Sequence, residues 1–414
     1  MMLPKVLIVN GTKIGVQNGT GISLQTIFSG WPKDKILQIV PLAYKQSDNE
    51  SSMDYPCIML PQKCFPFEYI FRKLFMLIYG KKIWSEALGD TDDNASAEKF
   101  SFKTLLKSYM DTSPVIIKKN VYKAIEEYNP DVIYTMLGSI KIAKMVYKIA
   151  KKTNKKVVFH FMDDWVEDIY AQSALTKIPR TIFYRLFKKL LKRTNCNLAI
   201  SKAMAEEYEK RYNKKFDYIM NSVTHFGECK ELNNNSVKLI YMGGLHLERW
   251  KLLKDLAEIL KKYDNIKLEI YAPLNDAKQY SKLIENKNVK FMQPVEHKMV
   301  NSVLSSSDIA VFCESFDNNI AKYTRFSLST KIPEYFSSGL PILCYAPKYL
   351  ASSQYIAESE CGICAENLQE LQDALDKLIR DRDIYRKLSE NCINTAKSNH
   401  LQETTQNKLI SVFS

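Results

Sequence analysis

FSLSTKIPEYFSSGLPILCY, residues 326–345, joins a polar Ser/Thr run to a lysine, a Pro-Glu step, a short amphipathic segment, a Gly-Leu-Pro stop and an apolar run. The pattern predicts a loop, a helix entrance, a short helix and a buried strand. Pro333 suits a first helical position, because its missing N–H would lack a partner there in any case. The N–H groups of that turn would face the preceding loop, a place that attracts an anion. Lys331 and the hydroxyls of Ser329 and Thr330 lie just before it, so a phosphate would meet a cation, hydroxyls and the helix dipole together. Glu334 suits a different group. A carboxylate accepts two hydroxyls at once and fits the vicinal diol of a sugar or ribose. Gly339-Leu340-Pro341 then stops the helix and leads into Ile342–Tyr345. Taken singly, each residue also fits an ordinary helix-turn-strand unit with a capping carboxylate.

The rest of the chain gives this stretch a setting. At 414 residues the protein is long for one core, which predicts two domains. Lys5–Asn10 (KVLIVN) is a compact apolar run followed by the glycine-rich stretch 11–21 and a helical spacing over Ile22–Phe28. That order opens a nucleotide-type α/β fold, although the spacing is not GxGxxG. Ile36–Pro41 is a second strand. Between Lys45 and Met110 the alternation breaks down, with polar loops at 47–54 and 90–97. Between these loops, Phe67–Trp84 carries Ile70, Phe71, Leu74, Phe75 and Ile78 as an apolar stripe flanked by Arg72, Lys73, Lys81 and Lys82. Regular order returns with a helix over Val121–Tyr128, a strand over Asp131–Thr135, a helix over Ile140–Lys151 and a strand over Lys156–His160. Ile178–Arg193 is a second basic amphipathic helix, and residues 177–193 hold seven cationic side chains and no acid. Cys196–Ser201 and Ala203–Tyr212 repeat strand then helix. The polar stretch 225–236 is expected to be a linker. A second domain opens at Val237, with strands at Val237, Ile266–Tyr271, Val289–Met292, Ile309–Cys313 and Pro341–Tyr345. After Leu368 the pattern is mostly helical.

Composition narrows the function classes. No run reaches the ~18 apolar residues of a membrane span, and the amino terminus passes straight into a strand, so a cytoplasmic, non-spanning protein is expected. Nine cysteines, an odd number without repeated pairing, indicate reduced thiols. Cys361 and Cys364 alone have redox or zinc spacing, and no second CxxC or His pair accompanies them. A formal charge of +13 implies an anionic partner: nucleic acid, a phospholipid surface or a phosphorylated substrate. No nucleic-acid reading module is present. Either basic amphipathic helix could lie in a membrane interface, or pack its apolar face on the core and leave a solvated basic face outside.

Two further constellations bear on chemistry. Tyr241-Met-Gly-Gly-Leu-His-Leu-Glu-Arg-Trp-Lys251 sets Gly243 and Gly244 between a strand and a basic helix entrance, where backbone N–H groups and the Arg249 guanidinium could hold a diphosphate. His160 ends a strand of the kind that places its ligand crevice at the carboxyl edge, although a lone histidine after a strand is more often a satisfied structural residue. Asp163, Asp164 and Trp165 follow it, carboxylates that could accept from ligand hydroxyls and an indole that could stack on an apolar ring face, which under the resemblance given below would be those of an acceptor sugar.

Taken together, 326–345 and 239–256 resemble the donor-binding motifs of glycosyltransferase family 4-like enzymes of the bacterial surface-polysaccharide type, and the resemblance extends more weakly over nearly the whole chain. It implies the α/β GT-B fold: two Rossmann-like domains facing an inter-domain cleft and a carboxyl-terminal helix crossing back to the first. The boundaries expected are 1–224 for the acceptor domain, 225–236 for the linker, 237–383 for the nucleotide-sugar domain and 384–414 for the returning helical segment. Asn18-Gly19-Thr20-Gly21 resembles the family's amino-terminal glycine loop, which places Gly19 and Gly21 near the donor. Asn221-Ser222-Val223 resembles its Asn-Gly-Val turn at the domain junction.

By resemblance, Arg249 matches the lysine of the family's Gly-Arg-Leu-x-x-x-Lys-Gly pattern, while Gly244 stands where that pattern has arginine. Lys331 or Lys251 could compensate for the missing cation. Glu334 matches the second glutamate of Glu-x7-Glu, but Phe326 occupies the first position, which leaves Glu314 as a candidate for that role. His160 matches a histidine facing the transferred sugar. The implied reaction moves a hexose from a nucleotide-diphosphate sugar to a hydroxyl of a saccharide or lipid-linked saccharide with retention, without metal or cofactor. Alternatives of other kinds are a nucleotide-sugar 2-epimerase of the same fold and a non-catalytic protein bound to a membrane surface.

Overall fold

The computed structural model describes residues 3–16, 18–42, 54–74, 77, 102–171, 173–232, 235–296 and 299–414. The expected polar loop at 90–97 and most of that at 47–54 lie outside these residues, as do Phe75, Ile78 and the remainder of the stripe to Trp84. The chain forms two compact units: Met1–Ile219 with Gln406–Ser414, and Met220–Thr405.

Unit 1 is built on a seven-stranded sheet of order β3-β2-β1-β4-β5-β6-β7. Its strands are β1 (Val6–Val9), β2 (Ile36–Pro41), β3 (Cys57–Leu60), β4 (Val132–Thr135), β5 (Lys156–Phe161), β6 (Cys196–Ala199) and β7 (Lys215–Tyr218). Every pairing is parallel. All four residues of β1 and of β4 are buried, the continuous apolar pattern of strands covered on both faces. Helices α1 (Gly19–Ile27), α2 (66–74), α3 (Phe102–Asp111), α4 (Lys119–Tyr128), α5 (Ile140–Thr153), α6 (Trp165–Asp168), α7 (Lys177–Leu191) and α8 (Lys202–Tyr212) supply the connections. Local chemistry sets their ends. The Ser139 hydroxyl accepts from the Ile142 N–H at the start of α5, and Asn154 closes it in the left-handed region. Ser201 caps α8 through the Met204 N–H at 3.1 Å.

Unit 2 holds a six-stranded sheet of order β10-β9-β8-β11-β12-β13, again wholly parallel. Its strands are β8 (Val237–Met242), β9 (Ile266–Tyr271), β10 (Val289–Met292), β11 (Ile309–Cys313), β12 (Ile342–Tyr345) and β13 (Gly362–Ala365). Its helices are α9 (Arg249–Leu260), α10 (Leu274–Ile284), α11 (Val300–Ser305), α12 (Asn318–Thr324), α13 (Ile332–Ser337), α14 (Ala351–Glu358), α15 (Leu368–Arg380) and α16 (Arg382–Asn399). The opening stretch is therefore loop, α13, turn and β12. Gly339 sits at φ +66°, and a Cβ there would lie 2.6 Å from the Glu228 carbonyl oxygen, so this turn requires glycine.

Three expectations about the domain boundaries change. The chain does not return to unit 1 at 384: α16 packs on α13 and α15 inside unit 2, and only α17 (Gln402–Phe413) enters unit 1, from Gln406. There the Gln406 amide donates to the Ser29 carbonyl at 2.8 Å, and Phe413 packs edge-on against Trp31 and Tyr134. Asn221–Val223 belongs to unit 2, where the Val223 N–H donates to the His400 carbonyl at 2.9 Å. Within the polar stretch 225–236, the described residues 225–232 form a strap packed on unit 2. The Gly227 N–H donates to the Ser337 carbonyl at 2.7 Å, and the Lys230 ammonium caps the end of α11 at the carbonyls of Leu304, Ser305 and Ser307, 2.5–3.1 Å away. Its polar residues occupy carbonyls that would otherwise be orphaned.

Candidate functional site

Each sheet has one topological switch point, where strand order reverses and a crevice opens beyond the carboxyl ends. In unit 2 it lies between β8 and β11, and charged residues gather there. Residues 243–248 leave β8 and turn sharply into α9. Leu247 (φ 56°) and Glu248 (φ 61°) are consecutive left-handed residues, a conformation disfavoured for side-chain-bearing residues and most of all for a bulky one. Side chains brace the loop: the Tyr241 hydroxyl donates to the Gly244 carbonyl at 2.7 Å, and the Leu245 N–H donates to Asp276 Oδ2 at 2.6 Å. Arg249, the first residue of α9, donates from Nη2 to Glu314 Oε1 at 2.6 Å, just past the end of β11. Burial works against the charged guanidinium, but Glu314 outweighs it, and the pKa of Arg249 rises above its ordinary value. The other oxygen, Glu314 Oε2, is buried and accepts no hydrogen bond within the described residues. A buried carboxylate oxygen without a donor is costly, and a ligand hydroxyl would relieve it.

The α13 segment joins the same edge, since the Met242 N–H at the end of β8 donates to the Tyr335 hydroxyl at 3.1 Å. Lys331 Nζ stands 2.9 Å from Glu334 Oε2, a pair with side chains 25% and 14% exposed. Two carboxylate–cation pairs, the first largely buried and the second half-buried, thus line this edge of unit 2.

The entrance of α13 is not the amide-rich cradle expected. The Ile332 N–H donates to the Ser329 carbonyl at 3.2 Å, the Lys331 N–H to Ser329 Oγ at 3.4 Å, and Pro333 has none to offer. The first N–H groups of α9 likewise go to loop carbonyls, Arg249 to His246 and Trp250 to Leu245. At these two helix entrances the N–H groups named are engaged, and the Arg249 and Lys331 side chains stand beside them. Ser329 and Thr330 are half-buried beside it, the Ser329 N–H donating to Ser352 Oγ at 3.2 Å. Phe326, at the expected position of the first glutamate, is buried, with the Arg325 guanidinium 5.0 Å from its ring centroid.

One residue at this edge is absent from the motif reading. His246 lies over Gly244, where a Cβ would meet its ring at 2.4 Å, and its Nδ1 is 3.8 Å from Asp276 Oδ2. Burial, and then Arg249, lower its pKa and keep it neutral at pH 7. A cation at 244, as in the family pattern, would have to displace this ring. Glycine followed two residues later by histidine was the signal available in the sequence.

The switch point of unit 1, between β1 and β4, is organised differently. His160 is fully buried, with both ring nitrogens occupied: the Tyr134 hydroxyl lies 2.7 Å from Nδ1, and Nε2 is 3.3 Å from the Ile219 carbonyl. The carbonyl can only accept, so Nε2 carries the proton and Nδ1 accepts from tyrosine. Burial drives its pKa down to about 3. The ring is a neutral bridge between β4, β5 and the segment after β7, with both nitrogens engaged inside unit 1.

Asp164 is buried too. It accepts from the Tyr208 hydroxyl at 2.7 Å and binds Arg211 through both oxygens at 2.9 Å, which pins α8 to the loop after β5. Burial raises its pKa despite these partners. Trp165 packs on Phe161 and Phe183 in an aromatic cluster rather than presenting a stacking face. Asp163 is half-buried.

In the glycine loop, Gly21 is required for close approach, because a Cβ would lie 2.3 Å from the Val16 carbonyl oxygen; Gly19 faces open space. Asn10, at the end of β1, had no place in the motif reading. Its Oδ1 accepts from the Met136 N–H at 2.8 Å and the Thr135 hydroxyl at 3.3 Å, while its Nδ2 is buried without a hydrogen-bond partner within the described residues.

Cys361 and Cys364 do not act as a pair. The Cys361 thiol points to Thr395 on α16, whereas that of Cys364 points to the Ser353 carbonyl on α14.

Two parallel Rossmann-like sheets, with a final helix that completes the first unit, define the GT-B class. Residues 239–409 match the family described as "Glucosyltransferase 3-like, C-terminal domain", and solved structures of the GT-B fold superpose on nearly the whole chain. No curated protein matches the sequence. Sucrose-phosphate synthase of Thermosynechococcus elongatus superposes with a TM-score of 0.62 at 12% identity, over 99% of this chain and 98% of that one. HepE of Anabaena, in complex with UDP and glucose, gives 0.62 at 13% identity over 99% and 98%. A variant of TarM from S. aureus, in complex with Fondaparinux, alpha-GlcNAc-glycerol and UDP, gives 0.62 at 12% over 99% and 100%.

Proposed function

We propose that the chain transfers a hexose from a nucleotide-diphosphate sugar to a hydroxyl of a saccharide or lipid-linked saccharide, with retention and with fixed cations in place of a metal. The observation that carries this reading is the Arg249–Glu314 pair with its orphaned Oε2 at the switch point of unit 2. A guanidinium suits a diphosphate, and a buried carboxylate oxygen lacking a donor suits a sugar hydroxyl beside it. Lys331 and Glu334 repeat the combination on α13, with the ammonium for a phosphate and the carboxylate for the ribose diol. As the anomeric bond breaks, charge grows on the leaving diphosphate, and cations already held in place stabilise it without reorganisation. UDP, bound in the HepE and TarM structures, is the nucleotide to try first.

The test is a panel of nucleotide-diphosphate sugars screened by thermal shift on the full chain, followed by assay of sugar transfer with the best ligand. A ligand that binds only the native state at 100 times its Kd stabilises by about 2.7 kcal/mol, which is readily seen in the melting temperature. Absence of stabilisation by every nucleotide-sugar would overturn the reading.

A further inference from the structure

The two basic amphipathic segments of unit 1 part company in the structure. Helix α7 buries its apolar face, Phe183, Phe187, Leu190 and Leu191, and exposes Arg185, Lys188 and Lys189, so it is a core helix with a solvated basic side. Helix α2 does the reverse. Phe67, Ile70 and Leu74 are 66%, 53% and 54% exposed, and Leu77, helical one turn on, is 83% exposed. Steps of three, four and three residues set all four on one stripe.

The orientation of this helix is fixed from its other side. Glu68 is buried and binds Lys141 of α5 at 2.6 Å, Phe65 is buried with that ammonium 5.7 Å from its ring centroid, and the Cys64 carbonyl accepts from the Ile116 N–H at 2.8 Å. Rolling the stripe inward would break a buried ion pair. Among the described residues of this helix and the turn before it, charge on the outer face is of one sign: Lys63 and Lys73 are exposed beside the stripe, and Glu68 points inward.

A second exposed apolar group, Tyr109, Leu175 and Ile178, lies at the same end of the unit. The Tyr109 hydroxyl donates to the Leu175 carbonyl at 3.0 Å, and Asp111 of the same helix accepts from the Ile140 and Lys141 N–H groups, at the α5 terminus that Glu68 also holds. That terminus follows the carboxyl end of β4, so the apolar groups border the ligand-binding edge of the sheet.

We propose that this face of unit 1 docks on an anionic lipid bilayer, with α2 lying in the interface and its stripe among the acyl chains. The charges select this occupant. Lysines flanking an apolar stripe are drawn to anionic headgroups, whereas a second copy of the same face would set Lys63 and Lys73 against like charges. The inference does not depend on the donor chemistry proposed above.

The full chain is to be sedimented with vesicles of phosphatidylcholine alone and of phosphatidylcholine mixed equally with phosphatidylglycerol. Binding to the mixed vesicles, falling as salt is raised and weak on phosphatidylcholine alone, is the expected result. Ile70→Ser with Leu74→Ser should cut partition roughly 10-fold to 100-fold, while the melting temperature holds, because both side chains are exposed. Lys63→Glu with Lys73→Glu should weaken binding to mixed vesicles alone. No partition, partition unchanged in the serine variant, or a dimer in solution that the serine variant dissolves would each overturn the proposal.

Discussion

The carboxyl ends of β8 and β11 occupy the same place in the second sheet as those of β1 and β4 in the first, yet they hold different things. In unit 2 the edge carries two cation–carboxylate pairs, an orphaned carboxylate oxygen and a strained loop. In unit 1 the titratable groups that looked most like ligands, His160 and Asp164, lie one strand over at the end of β5, buried and hydrogen-bonded within their own unit. Position at a strand end therefore marks where a ligand can bind, and leftover hydrogen-bonding capacity marks which side chains can bind it. On that criterion Glu314 and Asn10 have capacity to spare at their respective edges, and His160 has none.

The sharpest way to break this contrast is Arg249→Ala. Loss of a preorganised charge at the leaving group should lower sugar transfer roughly 10²-fold to 10³-fold. The substitution also strands Glu314, and breaking a buried pair costs about 3–5 kcal/mol, so activity could fall through unfolding alone. Arg249→Met with Glu314→Gln separates the two effects, since it should recover most of the melting temperature and none of the activity. Transfer by Arg249→Ala within about threefold of the parent would remove the clamp from the mechanism.

His160 supplies the opposite prediction. Its replacement by glutamine should cost stability, about 1–3 kcal/mol for the unsatisfied partners, but leave turnover per folded molecule within roughly tenfold. The acid side of the stability curve carries the same information. The folded-state pKa of His160 is about 3, and that of His400, which donates from Nδ1 to the Asn221 carbonyl at 3.0 Å, is lowered by burial to about 4. Both lie below the unfolded value near 6.5, so the unfolded chain takes up protons that the folded chain refuses. Stability from these two groups is complete above about pH 6.5 and is lost as pH falls through the window down to the folded values, at up to about 1.4 kcal/mol per pH unit for each. Thermal melts between pH 7 and 4.5 should be shallower in His160→Gln. An equal slope in both proteins, or a turnover loss beyond 10²-fold at full folding, would return His160 to the active site.

What the sequence made legible follows the same physics. The central strands were visible because burial on both faces demands unbroken apolar runs, as in VLIV of β1 and IAVFC of β11. Three strands were missed, β3, β7 and β13, and each is the last strand of its sheet. One side without a neighbour permits mixed residues: KFDY in β7 carries two charges, and GICA in β13 begins with a glycine whose Cβ would lie 2.2 Å from the Ile342 carbonyl oxygen. At the site, Arg249, Lys331 and Glu334 were recognisable from their spacing to glycine and proline. The partnership of Arg249 with Glu314, 65 residues away, was not, since it exists only once β8 and β11 are neighbours. The polar strap at 225–232 has the look of a linker for a related reason. A segment that satisfies other elements' carbonyls has the composition of one that satisfies none.

The smallest effect sharpens the comparison within unit 2 itself. Family 4-like proteins are expected to carry arginine where Gly244 stands, and here the space above Gly244 belongs to the His246 ring. Gly244→Ala alone should push that ring off its place and weaken donor binding a few-fold, because a Cβ at 2.4 Å cannot be accommodated without movement. His246→Ala should also weaken binding by a few-fold at most, since the imidazole is neutral at pH 7 and contributes a hydrogen bond, worth about 0.5–1.5 kcal/mol net, rather than a charge. If ring displacement is the whole cost of the alanine at 244, then His246→Ala with Gly244→Ala should be no weaker than His246→Ala alone. The measurement is donor affinity by titration for the three variants and the parent. Additive losses in the double variant would mean that Gly244 is needed for the backbone's own approach to the donor, and that His246 is a bystander to it.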